Sequence, residues 1–117
     1  MKNRTQRVST LVFQELCITL KKLEDPRLEG LTFTDVKMTK DLQLAKVYYS
    51  IFGEEHDRKA AEKALHKAQG MFKKNMAENL NLRYIPELKF YYDQTMEKAQ
   101  RIEKILEKIN KENGNHS

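Results

Sequence analysis

The sequence predicts an α+β fold in the order helix, strand, strand, kinked helix pair, strand, helix, with a three-stranded sheet packed by the helices. Two periodicities predict it: apolar residues recur every three or four positions in the helical stretches and every second position in the strands. Proline and glycine punctuate the boundaries between them. At 117 residues the chain suits one domain, placed at residues 1–112, followed by a frayed, disordered tail at residues 113–117.

The first helix runs from Arg4 to about Leu23, with Val8, Leu11, Val12, Leu16, Leu20 and Leu23 on one stripe widened by Phe13 and Cys17. Asn3 and Gln6 offer a capping box at its start, and Asp25-Pro26 ends it, because a residue before proline avoids helical angles. Gly30 opens a strand from Leu31 to Thr39. Leu31 and Phe33 are out of phase with Val36 and Met38, and a bulge near Thr34-Asp35 puts all four on one face. After a short turn at Lys40-Asp41, Gln43–Phe52 forms a second strand with Ala45, Val47, Tyr49 and Ile51 on one side. Strands this near in sequence pair as an antiparallel hairpin.

A helical stretch follows from about Asp57, which can cap it, to Asn81. Ala60, Ala61, Ala64, Leu65 and Ala68 make a small-residue face, and Met71, Phe72, Met76 and Leu80 continue with larger residues beyond Gly70. Glycine inside a helix costs about 1 kcal/mol relative to alanine, so a kink or break is expected at Gly70. Pro86 starts a third strand with Leu88, Phe90 and Tyr92 inward. Asp93 caps a last helix whose stripe is Ala99, Ile102, Ile105, Leu106 and Ile109.

Composition narrows the function. The net charge of +5 and pI near 9.3 permit binding to polyanions, although acidic and basic residues alternate along most of the chain. No long apolar run or secretory leader pattern is present, and the lone Cys17 fits a reducing, cytoplasmic setting. Catalysis finds no support. His56, His66 and His116 are scattered without metal-ligand spacing, and Cys17 lies on an apolar helix face. No glycine-rich phosphate loop or dinucleotide fingerprint occurs, so neither an active site nor a cofactor nor a metal is expected.

Positive charge gathers in a few places. Lys67, Lys73 and Lys74 flank Gly70, where a helix junction would let a phosphate backbone approach; the alternative is a glycine that only bends the helix. Arg4 and Arg7 lie one turn apart, away from the core stripe, with Lys21, Lys22 and Arg27 further along. Arg83-Tyr84 sets a guanidinium beside an aromatic ring, suited to stacking on bases or equally to loop packing. The tyrosines Tyr48, Tyr49, Tyr91 and Tyr92 alternate along strands, where core packing accounts for half of them.

Several segments, in order, carry a family resemblance: Asp25-Pro26-Arg27-Leu28, Thr34-Asp35-Val36, Asp41-Leu42-Gln43-Leu44-Ala45-Lys46-Val47-Tyr48, and Leu82-Arg83-Tyr84-Ile85-Pro86-Glu87-Leu88-Lys89-Phe90. Together they make the chain, from about Arg4 to Leu106, resemble bacterial ribosome-binding factor A. The resemblance implies a type II KH-like fold, binding to the free 30S subunit, and help with late maturation of 16S rRNA, notably in the cold. It also implies an interhelical Ala-x-Gly kink, matched by Ala68, Gln69 and Gly70, in place of the Gly-x-x-Gly loop of ordinary KH domains. The clamping mode of that loop is therefore not carried over.

The expected partners are 16S rRNA and the small ribosomal subunit, with no membrane and no small-molecule substrate, and the protein is expected to be a monomer. Candidate RNA-binding residues are Arg4, Arg7, Lys40, Lys46, Lys67, Gly70, Lys73, Lys74 and Arg83. The rival readings are a general RNA-binding or protein-interaction module and an RNA-processing enzyme, the last lacking a reactive constellation.

Overall fold

A computed structural model describes residues 3–114. Helix α1 spans Arg4–Lys22, β1 Leu31–Met38, β2 Leu44–Ile51, α2 Glu55–Asn79, β3 Glu87–Tyr92 and α3 Thr95–Gly114, with a 3-10 turn at Pro26–Leu28. The strands form one sheet in the order β1-β2-β3. β1 and β2 pair antiparallel, and the register shifts between Phe33 and Asp35, so the expected bulge brings Val36 into phase with Leu31 and Phe33. β3 joins β2 in parallel, a pairing that needs a crossover, which α2 supplies.

The core lies between one face of the sheet and α1 with α2. Val12 and Leu16 of α1, Ala64, Leu65, Phe72 and Met76 of α2, and Phe33, Val47 and Leu88 of the strands are buried there. Phe33, Phe72 and Phe90 form a three-ring cluster with centroids 5.9–6.3 Å apart. Between the helices runs a polar seam. Asn75 donates to the Thr19 hydroxyl at 3.0 Å, and Asn79 donates to the Glu15 carboxylate at 2.7 Å. Glu15 and Thr19 are buried, so these bonds satisfy groups that water cannot reach.

Local signals explain the boundaries. Asn3 Oδ1 accepts the Gln6 N–H at 2.8 Å while Gln6 returns a bond to the Asn3 N–H, completing the expected box. Asp57 acts from inside α2, which starts earlier than expected: its carboxylate accepts the Glu54 N–H at 2.8 Å. Gly53, at φ +136°, precedes this start, and a Cβ there would sit 2.5 Å from the Asp57 carboxylate. Asp93 accepts the Thr95 N–H at 2.9 Å at the head of α3.

Two expectations change. α2 is one continuous helix across Gly70, so there is no helix pair and no free helix start beside that glycine. The reason is phase: Ala61, Ala64, Leu65, Ala68, Phe72 and Met76 stay on one stripe through the glycine. Burying Phe72 and Met76 is worth about 1.5–3 kcal/mol each, which outweighs the roughly 1 kcal/mol cost of one helical glycine. The stripe of α3, in turn, faces water: Ile102 is 57% exposed and Ile109 46%. The inner face of the sheet already carries α1 and α2. Asn113 and Gly114, expected in the frayed tail, belong to α3, while residues 115–117 of that tail, with His116, lie outside the described residues.

Candidate nucleic-acid interface

Three separate segments meet at one end of the molecule: the start of α1, the β1–β2 turn, and the loop between α2 and β3. The turn is held by its own side chains. Asp41 accepts from the Thr39 hydroxyl at 2.6 Å and from the Gln43 N–H at 3.1 Å, and these bonds hold its carboxyl below the usual range. Leu42 takes a left-handed φ of 60°, unusual for a leucine, while its half-buried side chain packs against the core. The Glu87 N–H donates to the Gln43 carbonyl at 2.8 Å, tying the turn to the third segment, where Pro86 is fully buried.

Between these segments lies a cleft of about 650 Å³ lined by Arg4, Arg7, Lys40, Asp41, Arg83 and Tyr84, among others. Four predicted cations thus come together from sequence positions as far apart as 4 and 83. Among the described residues, the only acid lining the cleft is Asp41, which is occupied by Thr39 and Gln43. The first turn of α1 contains no acidic residue to answer its positive helix end, and places Arg4 and Arg7 there instead. Such a cluster repels itself and favours an anion. Arg83 lies 5.4 Å from the centroid of Tyr84, a ring 60% exposed and available for stacking.

The other predicted cations lie elsewhere. Lys46 sits on β2, and Lys67, Lys73 and Lys74 follow α2. Lys73 is tied to Glu87 of β3 at 2.6 Å. Lys67 is close enough to Asp25 to stabilise its carboxylate. Of the expected kink motif, Ala68 packs inward and Gln69 donates to the Leu88 carbonyl at 3.1 Å. Gly70 faces outward, and a Cβ added there would meet nothing within 4 Å. The motif therefore fastens α2 to β3 and leaves an open notch on the surface.

Burial pushes the Cys17 thiol up from its ordinary value, against a weaker pull downward from Lys21, which disfavours the thiolate. Among the described residues no group of His, Cys, Asp or Glu could hold a metal ion. His66 is exposed on α2. No described helix is long and apolar enough to cross a membrane. Sequence reasoning did not place Thr5, Leu11 and Asn81 at the cleft, because its walls form only when distant segments fold together.

Comparisons with known proteins agree with this architecture. The family model described as ribosome-binding factor A matches residues 4–106. The chain is 45% identical to ribosome-binding factor A of Desulfatibacillum aliphaticivorans over 107 residues, covering 91% of this chain and 87% of the relative. It superposes on the crystal structure of ribosome-binding factor A from Thermus thermophilus with a TM-score of 0.71 at 28% identity, covering 78% of this chain and 97% of the other. Coordinates of the Thermus thermophilus factor fitted into a cryo-EM map of a 30S complex match with a TM-score of 0.62 at 30% identity, covering 73% and 90% of the two chains. With the match spanning nearly every described element, this chain belongs to the ribosome-binding factor A family.

Proposed function

We propose that the protein docks on the free 30S subunit, binds precursor 16S rRNA and biases its late maturation, including in the cold, without covalent chemistry. One observation carries the reading: Arg4, Arg7, Lys40 and Arg83 converge on one cleft in which the acid, Asp41, is already occupied. Cations arranged this way gain free energy by displacing the counterions condensed on phosphates. The Thermus thermophilus relative, fitted to a 30S complex, supplies the partner class. The cleft is the principal anchor in this reading; Lys46, Lys67, Lys73 and Lys74 contribute outlying charge, and the protein acts as a cytoplasmic monomer.

Gradient-separated ribosomal particles test it. The protein should travel with free 30S subunits and be missing from translating ribosomes. Replacing Arg4, Arg7 and Arg83 with glutamate should abolish that co-sedimentation while leaving the circular-dichroism spectrum unchanged. Normal co-sedimentation of the triple variant would reject the cleft as the anchor.

A further inference from the structure

Among the described residues, no helix covers the outer face of the sheet. α1 and α2 both cover the inner face, so the residues that alternate outward remain in contact with solvent. Register places Lys37 opposite Lys46, and Lys46 opposite Lys89, so one lysine from each strand stands in a single cross-strand row. The next outward row contains Tyr48 opposite Tyr91, their rings stacked at 5.6 Å with an interplanar angle of 29°. Lys37 Nζ lies 5.5 Å from the centre of the Tyr48 ring.

A purely structural role accounts poorly for this face. Like charges directly opposite one another destabilise a sheet, and here the repulsion includes the central strand. Among the described residues, no acid forms an ion pair with Lys37, Lys46 or Lys89. Stacked aromatic rings gain from burial, yet Tyr91 is left 39% exposed. Three acids among the described residues share this face: Glu87, one outward step before Lys89, is tied to Lys73 of α2; Asp35 shares the tyrosine row and accepts the Val36 N–H; and Asp93, bonded to Thr34 and Thr95, is close enough to Lys37 to feel its charge. Of the two rows, the lysine row lies nearer the cleft, with Glu87 and its partner Lys73 beside it. Lys37 precedes Lys40 by three residues, and Lys89 follows Pro86 by three, roughly 10 Å along a strand in each case.

We propose that this open sheet face binds a single-stranded stretch of RNA, its phosphates along the Lys37–Lys46–Lys89 row and a base on the Tyr48–Tyr91 pair, of which Tyr91 is the exposed ring. The idea rests on reading the protein as an RNA binder and adds a second surface continuous with the cleft. Lysines at one spacing hold successive phosphates, and the stacked pair offers an aromatic platform that accepts any base. The acidic side beyond the tyrosines sets where the strand must leave the face.

The test uses the full chain and a fluorescent twelve-nucleotide oligouridylate, followed by anisotropy over a range of salt concentrations. Replacing Lys37, Lys46 and Lys89 with glutamine should weaken binding by more than about tenfold and flatten the log–log salt slope by about 2, the loss expected for three single-strand phosphate contacts. Replacing Tyr48 and Tyr91 with leucine should weaken binding by about tenfold or more while leaving the salt slope unchanged. Ultraviolet crosslinking of oligouridylate to the wild-type protein should place adducts on the peptides holding Tyr48 or Tyr91, which guards against a variant that merely folds poorly. Failure of the wild type to bind the oligonucleotide, or unchanged affinity in the lysine variant, overturns the sheet-face proposal. If the wild type binds oligouridylate with the expected lysine dependence but does not co-sediment with 30S subunits, the 30S reading fails and the sheet-face proposal stands.

Discussion

The cleft and the α2 ridge carry similar numbers of cations but differ in what surrounds them. At the cleft, arginines and a lysine from three segments face a shared space in which Asp41 is already occupied. On the ridge, Lys73 is matched to Glu87 and Lys67 lies near Asp25. Charge held by a neighbour in the same molecule has less to offer a partner. In the proposed reading, convergence, more than the number of lysines, marks the polyanion site.

The largest expected effect is at the cleft. Arg4→Gln with Arg83→Gln should weaken 30S binding by more than about tenfold and lower the salt slope by about 1.4–1.8, whereas Lys67→Gln with Lys74→Gln should change affinity by less than about threefold. Filter binding to purified 30S subunits at several salt concentrations compares the two regions directly, and equal losses would erase the distinction. Gly70→Ala should raise stability by about 1 kcal/mol and the melting temperature by about 4 °C, because the added methyl meets only solvent on a continuous helix. A melting temperature that falls would show that the glycine serves a bend after all. Lys73→Ala removes the bond to Glu87 and should cost no more than about 1 kcal/mol in chemical denaturation, the range of a solvent-exposed pair.

The smallest effect concerns Asp25. Hydrogen bonds from the Arg27 side chain and backbone hold its carboxyl at about 2. A depressed value means that this group's contribution to stability is present above the ordinary carboxylate range and is lost as pH falls through about 2. Carbon-detected NMR titration should find Asp25 charged at pH 3, and Arg27→Ala should return it toward 3.8.

Much of the fold was legible in the sequence. Out-of-phase apolar residues around Thr34-Asp35 revealed the bulge, and Asn3 with Gln6 revealed the first cap. These signals are local, encoded within a few residues. The break expected at Gly70 is absent because the glycine's intrinsic cost is visible in sequence, whereas the in-phase burial of Phe72 and Met76 that offsets it depends on tertiary packing. The α3 stripe illustrates the opposite limit: Ile102, Ile105, Leu106 and Ile109 predict a helix correctly but cannot say what covers it. For the site, charge and position picked out Arg4, Arg7, Lys40 and Arg83 individually. Their meeting was not legible, since it depends on the β1–β2 turn and the Pro86 loop being tied together by Glu87 and Gln43. The sheet-face row is illegible in sequence for the same reason: Lys37 and Lys89 lie 52 residues apart and are brought to either side of Lys46 only by the sheet.

The seam between α1 and α2 sets how these helices can move. Sliding one past the other by a single turn, about 5.4 Å, would strand the Glu15 carboxylate and the Thr19 hydroxyl away from Asn79 and Asn75. Apolar contacts alone are forgiving of such slippage, and their grip weakens on cooling. A two-point polar latch tolerates a single alignment. It fixes the stagger between the N-terminal arginines of α1 and α2 more sharply than apolar contact alone would.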